Sequence, residues 1–107
     1  MMKMGDVNGA QPHAEKAHDL APKNPSVADT LGVIVLARGD SARALQLLQE
    51  AANGAPDRAD IQYHLAKARA KNGDTEEARK ILRQILGSNN SFPERDDAKS
   101  LLQQLGG

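Results

Sequence analysis

Residues 65–78 read Leu65-Ala66-Lys67-Ala68-Arg69-Ala70-Lys71-Asn72-Gly73-Asp74-Thr75-Glu76-Glu77-Ala78. Residues 31–44 read Leu31-Gly32-Val33-Ile34-Val35-Leu36-Ala37-Arg38-Gly39-Asp40-Ser41-Ala42-Arg43-Ala44. The two stretches share one layout: a large and a small apolar residue, a helical run, Gly-Asp, then Ala. Gly-Asp occurs a third time at Gly5-Asp6, so that Gly5, Gly39 and Gly73 stand 34 residues apart. Ala10, Ala44 and Ala78 keep the same step, as do Ala14, Leu48 and Leu82, then Ala17, Ala51 and Ile85, and Pro22 with Pro56. A fixed period of this length marks a stack of supersecondary units, each too small to bury its own apolar face.

Each unit reads as helix, tight turn, helix. The first full unit has its helix A at about 25–38, where Pro25 fills a first helical position whose N–H is unused anyway. Gly39 supplies the left-handed residue that closes a helix. Asp40 can cap the free N–H groups of the next one. Helix B runs over about 41–52, with Ala44, Leu45, Leu48 and Ala51 at helical spacing, and Pro56 prevents its continuation. The second unit repeats this with helix A at about 59–71 and helix B at about 75–86. Its Asp74-Thr75-Glu76-Glu77 has the form of a capping box. Gly32 and Ala66 fall mid-helix, and a mid-helix Gly costs about 1 kcal/mol against Ala. Close approach of the partner helix, at Ala44 and Ala78 respectively, offsets that cost.

The ends differ from the repeats. Residues 1–4 are set aside as an added start or a cut edge. Residues 5–24 then hold one helix, about Gln11 to Leu20, read as helix B of a partial repeat with core residues Ala10, Ala14 and Ala17. This incomplete unit is what the C-terminal end of a longer array is expected to show. Residues 25–58 and 59–91 are the two full units, the second ending in a loop from Gly87 to Ser91. Residues 92–107 form a last helix to about Leu105, with Ala98, Leu101, Leu102 and Leu105 on one stripe and polar residues elsewhere. That is the form of a solenoid cap. Phe92 anchors the loop on the core. The expected fold is all-α: about six helices in antiparallel hairpins, with no sheet.

The composition agrees. Ala and Leu dominate, Tyr63 and Phe92 are the only aromatics, and there is no Trp among 107 residues. Small side chains suit close helix packing better than a sheet core. Lys+Arg and Asp+Glu both number 14, giving a formal net charge of zero. A nucleic-acid binder carries a clustered basic excess or exposed stacking aromatics, so no nucleic-acid partner is expected. No apolar run is long enough to span a membrane. The absence of Cys removes disulfides, thiolate metal sites and a Cys nucleophile, and is compatible with cytoplasm and periplasm alike.

No reaction chemistry is legible. His13 and His18 are five apart rather than at the i, i+4 spacing of helical metal pairs, and all three histidines, with His64, read as surface residues. Glu76-Glu77 and Asp96-Asp97 lie in first helical turns, where they complement the helix dipole. There is no phosphate-binding Gly-rich loop. Neither a catalytic residue nor a metal or cofactor is assigned.

The residues Leu31-Gly32, Ala44, Leu48, Ala51, Pro56, then Leu65-Ala66, Ala78, Leu82 and Ile85, resemble the tetratricopeptide repeat family over about residues 5–86. The chain departs from the family pattern at its Trp position, held by Ala28 and Gln62, and at its Tyr position, held by Val35 and Arg69. Asn90 replaces the third Pro. The resemblance implies a scaffold that binds a protein or peptide partner on the concave face of its helix A stack. The positions it implies are Ser26, Asp29, Val33, Leu36 and Ala37, then Asp60, Tyr63, Lys67, Ala70 and Lys71. Members that clamp a chaperone's C-terminal carboxylates use basic and Asn residues there. Asp29 and Val33 replace them, which argues against such a clamp. Lys67 and Lys71 follow Tyr63 on one stripe, as an apolar anchor and an acidic flank of a peptide would require.

A second reading is a structural spacer, or a segment that self-associates through its open N-terminal edge. The ending from Asn90 to Leu102 is also similar to the closing helix of bacterial tetratricopeptide lipoproteins linked to exosortase sorting and exopolysaccharide export. That likeness implies a periplasmic or outer-membrane-anchored parent.

Overall fold

The computed structural model describes residues 4–87 and 92–107, with side chains from residue 10 onward. It holds six α-helices: α1 (Met4–Leu20), α2 (Pro25–Ala37), α3 (Ser41–Gly54), α4 (Ala59–Lys71), α5 (Thr75–Gly87) and α6 (Arg95–Gln104). No strand occurs among the described residues.

The Gly-Asp turns work as their sequence requires. Gly39 and Gly73 have φ of 92° and 89°, in the left-handed region that glycine enters without a Cβ penalty. In each turn two backbone N–H groups reach back to helix carbonyls. Gly39 donates to Leu36 and Asp40 to Val35, while Gly73 donates to Ala70 and Asp74 to Arg69. This is the Schellman arrangement, which satisfies carbonyls that a helix end leaves orphaned. The same pattern closes α6, where Gly106 donates to Gln103 and Gly107 to Leu102. At the start of α3 the Asp40 carboxylate accepts from the Arg43 N–H at 3.1 Å. At the start of α2 the Asn24 side chain accepts from the Ser26 and Val27 N–H groups, a cap the Pro25 reading left out.

The helices pair antiparallel, α2 with α3 and α4 with α5, and α6 closes the stack on α5. The core falls into two clusters. The first joins Ala14, Ala28, Leu31, Val35, Ala44, Leu47, Leu48, Ala51 and Ala52 with Ile61, Leu65 and Ala68 of α4. The second joins Tyr63 and Ala66 of α4 with Ala78, Leu82, Ile85 and Ala98. So α4 is apolar on two faces, one turned back to the first hairpin and one forward to the cap. Phe92, Leu101, Leu102 and Leu105 pack on the second cluster.

Several expectations need correction. The first helix begins at Met4, not about Gln11, and Gly5-Asp6 lies inside it. A Gly-Asp dipeptide makes a turn only where a preceding helix ends on it, and no described helix precedes α1. Pro12 sits inside α1, where its missing N–H removes one helical bond without ending the helix. Ala14 is buried, Ala10 half-buried and Ala17 exposed, because α1 packs on α2 through a narrow stripe. Gly32 does face α3 closely, and its nearest neighbours there are Leu48 and Leu47. A Cβ there would stand 2.7 Å from Leu48 Cγ and 3.4 Å from Leu47 Cβ. The last helix starts at Arg95, three residues later than the expected start at Phe92. Most of the expected loop from Gly87 to Ser91, with Asn90, lies outside the described residues.

The family's large aromatic positions are filled differently here. Val35 and Ala28 are buried as small apolar residues. Arg69 instead donates to Gln49 Oε1 at 2.9 Å and lies 3.4 Å from the Asp74 carboxylate, so its charge is matched where a Tyr would stand. Gln62 reaches the Pro56 carbonyl at 3.3 Å.

Candidate functional site

The inner positions lie on α2 and α4 and divide into a laced half and an open half. In the laced half, at the helix N-terminal ends, polar groups are consumed by contacts between repeats. The Arg58 guanidinium donates to both Asp60 carboxylate oxygens, at 3.0 and 2.7 Å, and to Ser26 Oγ at 3.3 Å. That donation, ahead of any effect of charge alone, holds the Asp60 carboxyl below the usual carboxylate range. Asp29 is likewise taken, its Oδ1 lying 2.7 Å from His64 Nδ1. Three of the expected partner-binding residues, Ser26, Asp29 and Asp60, therefore tie one repeat to the next.

His64 itself departs from the surface reading given to the histidines. It is half-buried between Asp29 of α2 and Glu94 at the start of α6, with Nε2 3.7 Å from Glu94 Oε2. The i+35 separation of Asp29 and His64 was visible in the sequence, since it is one repeat plus one residue. Nothing local marked it as a contact. His18 is half-buried too, 3.6 Å from Glu50, while His13 is exposed.

The open half lies at the C-terminal ends. Val33 is exposed at 36%, and Leu36 is half-buried on the first cluster. On α4 the surface dips into a groove of about 460 Å³ between α4 and α6. Tyr63, Lys67, Ala70 and Lys71 form one wall, and Asp97, Ser100, Leu101, Gln104 and Leu105 form the other. The α6 wall went unassigned from sequence, because the cap was read for its packing stripe alone.

Tyr63 is 7% exposed, so it lies in the core beneath α6 and shows only an edge on the groove floor. Burial, reinforced by the nearby Asp97 and Glu94 carboxylates, pushes its hydroxyl pKa up, so it stays neutral at physiological pH. The Lys67 ammonium sits over the ring, 5.6 Å from its centroid, in reach of a cation–π attraction. Ion pairs elsewhere include Arg43 with Glu15 and Arg79 with Glu76, but among the described residues none involves Lys67, Lys71 or Asp97. The groove thus has a partly apolar floor, the Lys67 and Lys71 ammonium groups on one wall and the Asp97 carboxylate on the other, with no ion pair to any of the three among the described residues.

No cluster of three metal-ligating side chains suited to an ion occurs among the described residues. No described helix is long and apolar enough to cross a membrane.

A tetratricopeptide repeat family model matches residues 35–105. The chain belongs to the tetratricopeptide repeat family. Proteins of this family bind protein partners, and their helical stacks are typically scaffolds rather than enzymes. No curated protein matches the chain. Among solved structures, the crystal structure of MamA is similar, with a TM-score of 0.79 at 20% identity. The match covers 98% of this chain and 64% of that one, so the chain spans just under two thirds of the length of the MamA structure. At that identity the likeness shows the shared helical solenoid and nothing finer.

Proposed function

We propose that this scaffold seats a peptide segment along the open half of its inner face, with Val33 and Leu36 at one end and the α4–α6 groove at the other. An apolar side chain of the partner enters the groove over Tyr63 and Leu101. An acidic flank meets Lys67 and Lys71. The observation that carries this reading is the set of unpaired charges around a partly apolar floor. Charges left unpaired at the rim of a concave site give register and partner choice when a complementary chain arrives. The laced residues Ser26, Asp29 and Asp60 act in this reading by fixing the angle between repeats rather than by touching the partner.

Lys67→Glu combined with Lys71→Glu tests this. Both side chains lie at the groove wall and outside the buried core, so the melting temperature is expected to stay close to wild type. Capture of the cognate partner should fall by about tenfold or more, since mutating charges at a rim slows association and reversing them adds repulsion. Unchanged capture would reject the groove as the site.

Self-association is favoured by one observation of its own: Leu20 is 77% exposed, beside the exposed Ala17 on α1. Sedimentation velocity of wild type and Leu20→Lys separates this reading. A dimer that Leu20→Lys dissolves supports it, and a monomer at all concentrations removes it.

A further inference from the structure

Two surface features stand at opposite ends of the stack, where α1 packs on α2 and α6 closes on α5. At the first end is Leu20, the last residue of α1. It is 77% exposed, the most exposed large apolar side chain among the described residues. A lone surface leucine needs no explanation, but this one has a charged setting. Asp19 precedes it, Lys16 lies one helical turn before it on the same face, and Lys23 follows in the turn beyond, all three exposed. Among the described residues none of the three forms an ion pair. Asp19 lies near enough to Arg43 to raise its pKa, yet the Arg43 hydrogen bonds go to Glu15.

At the other end is the α4–α6 groove. Its 460 Å³ fall within the range of about 300–1,000 Å³ over which clefts take up ligands. Tyr63 and Leu101 give it apolar surface, Lys67 and Lys71 stand on one wall, and Asp97 stands on the other. Such a groove calls for an apolar side chain with a carboxylate beside it and a cation close by. The end of α1 has all three in five residues, from Lys16 to Leu20. Val33, the other exposed large apolar side chain, does not qualify: the one charge within a turn of it, Asp29, is taken by His64.

We propose that the segment seated in the α4–α6 groove is the end of α1 of a second copy of this chain. Leu20 of one copy enters the groove of the next, Asp19 meets Lys67 and Lys71, and Lys16 comes to the side of Asp97. This rests on the reading of that groove as the partner site. The second hairpin separates α1 from α6 within one chain, so no copy seats its own Leu20. The contact sets one patch against a different patch, and so closes into a ring or runs on as a chain. It belongs to the small, transient class that buries less than about 1,200 Å². The charges at its rim fix the register of the two copies.

Sedimentation equilibrium of the chain alone tests this. Between about 10 μM and about 1 mM the weight-average mass of wild type is expected to rise by about half or more. Leu20→Lys removes the inserted side chain and keeps the groove. Lys67→Glu with Lys71→Glu spoils the groove and keeps Leu20. None of these side chains belongs to the buried core, so both variants should fold, as circular dichroism checks, and each alone should stay monomeric. Mixed in equal amounts they should form a 1:1 dimer and nothing larger, because one intact groove and one intact Leu20 remain per pair. Asp19→Lys added to the lysine reversal should restore association, since the facing charges are then exchanged in sign. A wild type that is monomeric at about 1 mM overturns the proposal, as does a mixture without the 1:1 dimer. The first of these results leaves the groove reading standing, because a segment of another protein does not require a second copy. A lysine reversal that associates as wild type does, while Leu20→Lys does not, overturns the groove reading together with the proposal.

Discussion

At the scale of single residues, the repeat is enforced by a few positions whose side chains can hardly be other than they are. Gly32 is the sharpest case. Its helix accepts the propensity cost of a mid-helix glycine because Leu48 of α3 occupies the space a Cβ would need. Gly32→Leu should therefore destabilise the protein by about 1–3 kcal/mol through overpacking, read as a lower midpoint in chemical denaturation. A wild-type midpoint would show that α2 and α3 do not pack as described. The close approach was legible from the 34-residue register of Gly32 and Ala66, but its neighbour was not. Helix crossing and rotamer choice brought Leu48 closest to the glycine, and neither is written in a one-dimensional period. Tyr63 teaches the complementary lesson. The register placed it on the inner face, yet the cap helix covers it, so Tyr63→Ala would remove core as much as surface. Lys67 and Lys71 are the cleaner probes.

At the scale of elements, the two ends of the stack are held by different forces. α6 is held by burial. It covers Tyr63, Ala66, Leu82 and Ile85 with Ala98, Leu101, Leu102 and Leu105. Deleting residues 92–107 should expose that cluster and give an aggregating or unfolded chain, seen by light scattering and circular dichroism. A truncated chain that stayed monomeric and equally stable would mean α6 contributes nothing to the core. Among its described side chains α1 buries Ala14 alone, and it leans on polar ties as well, with Arg43 of α3 forming a two-bond pair to Glu15 at 2.5 Å. That pair, led by the Arg43 hydrogen bond, lowers the Glu15 pKa from 4.5 to about 2. A carboxylate whose folded pKa is depressed stabilises the fold above its unfolded value and loses that contribution as pH falls through its folded one. Melting temperatures of wild type and Glu15→Gln should therefore differ above pH 4.5 and converge as the pH falls to about 2. A gap that persisted in strong acid would rule out the ion pair as its source. The helix boundaries were readable wherever Pro, Gly and Asp punctuate the chain. The start of α1 was not, because Gly5-Asp6 has the letters of a turn without the preceding helix that makes one.

At the scale of the molecule, the six described helices, stacked as hairpins, give an inner surface whose N-terminal half is spent on holding repeats together and whose C-terminal half makes no such ties among the described residues. Sequence reasoning named the α4 residues of that surface and missed those of α6. Periodicity reports the face a helix buries, whereas the groove is made by the polar edge next to that face, where Asp97, Ser100 and Gln104 stand. The Asp29–His64–Glu94 link was invisible for a related reason. It joins three elements across distances in sequence that no motif spans, and its chemistry comes from their packing. The central claim is that a partner lies in the α4–α6 groove, and site-specific photo-crosslinking tests it most directly. A benzophenone side chain is placed at Ser100 on the groove wall and, in a separate variant, at the exposed Lys80 of α5. The account predicts one dominant crosslinked partner from Ser100, none from Lys80, and loss of the Ser100 product when Lys67→Glu and Lys71→Glu are added. Equal products from the two positions, or a Ser100 product indifferent to the charge reversal, would contradict it.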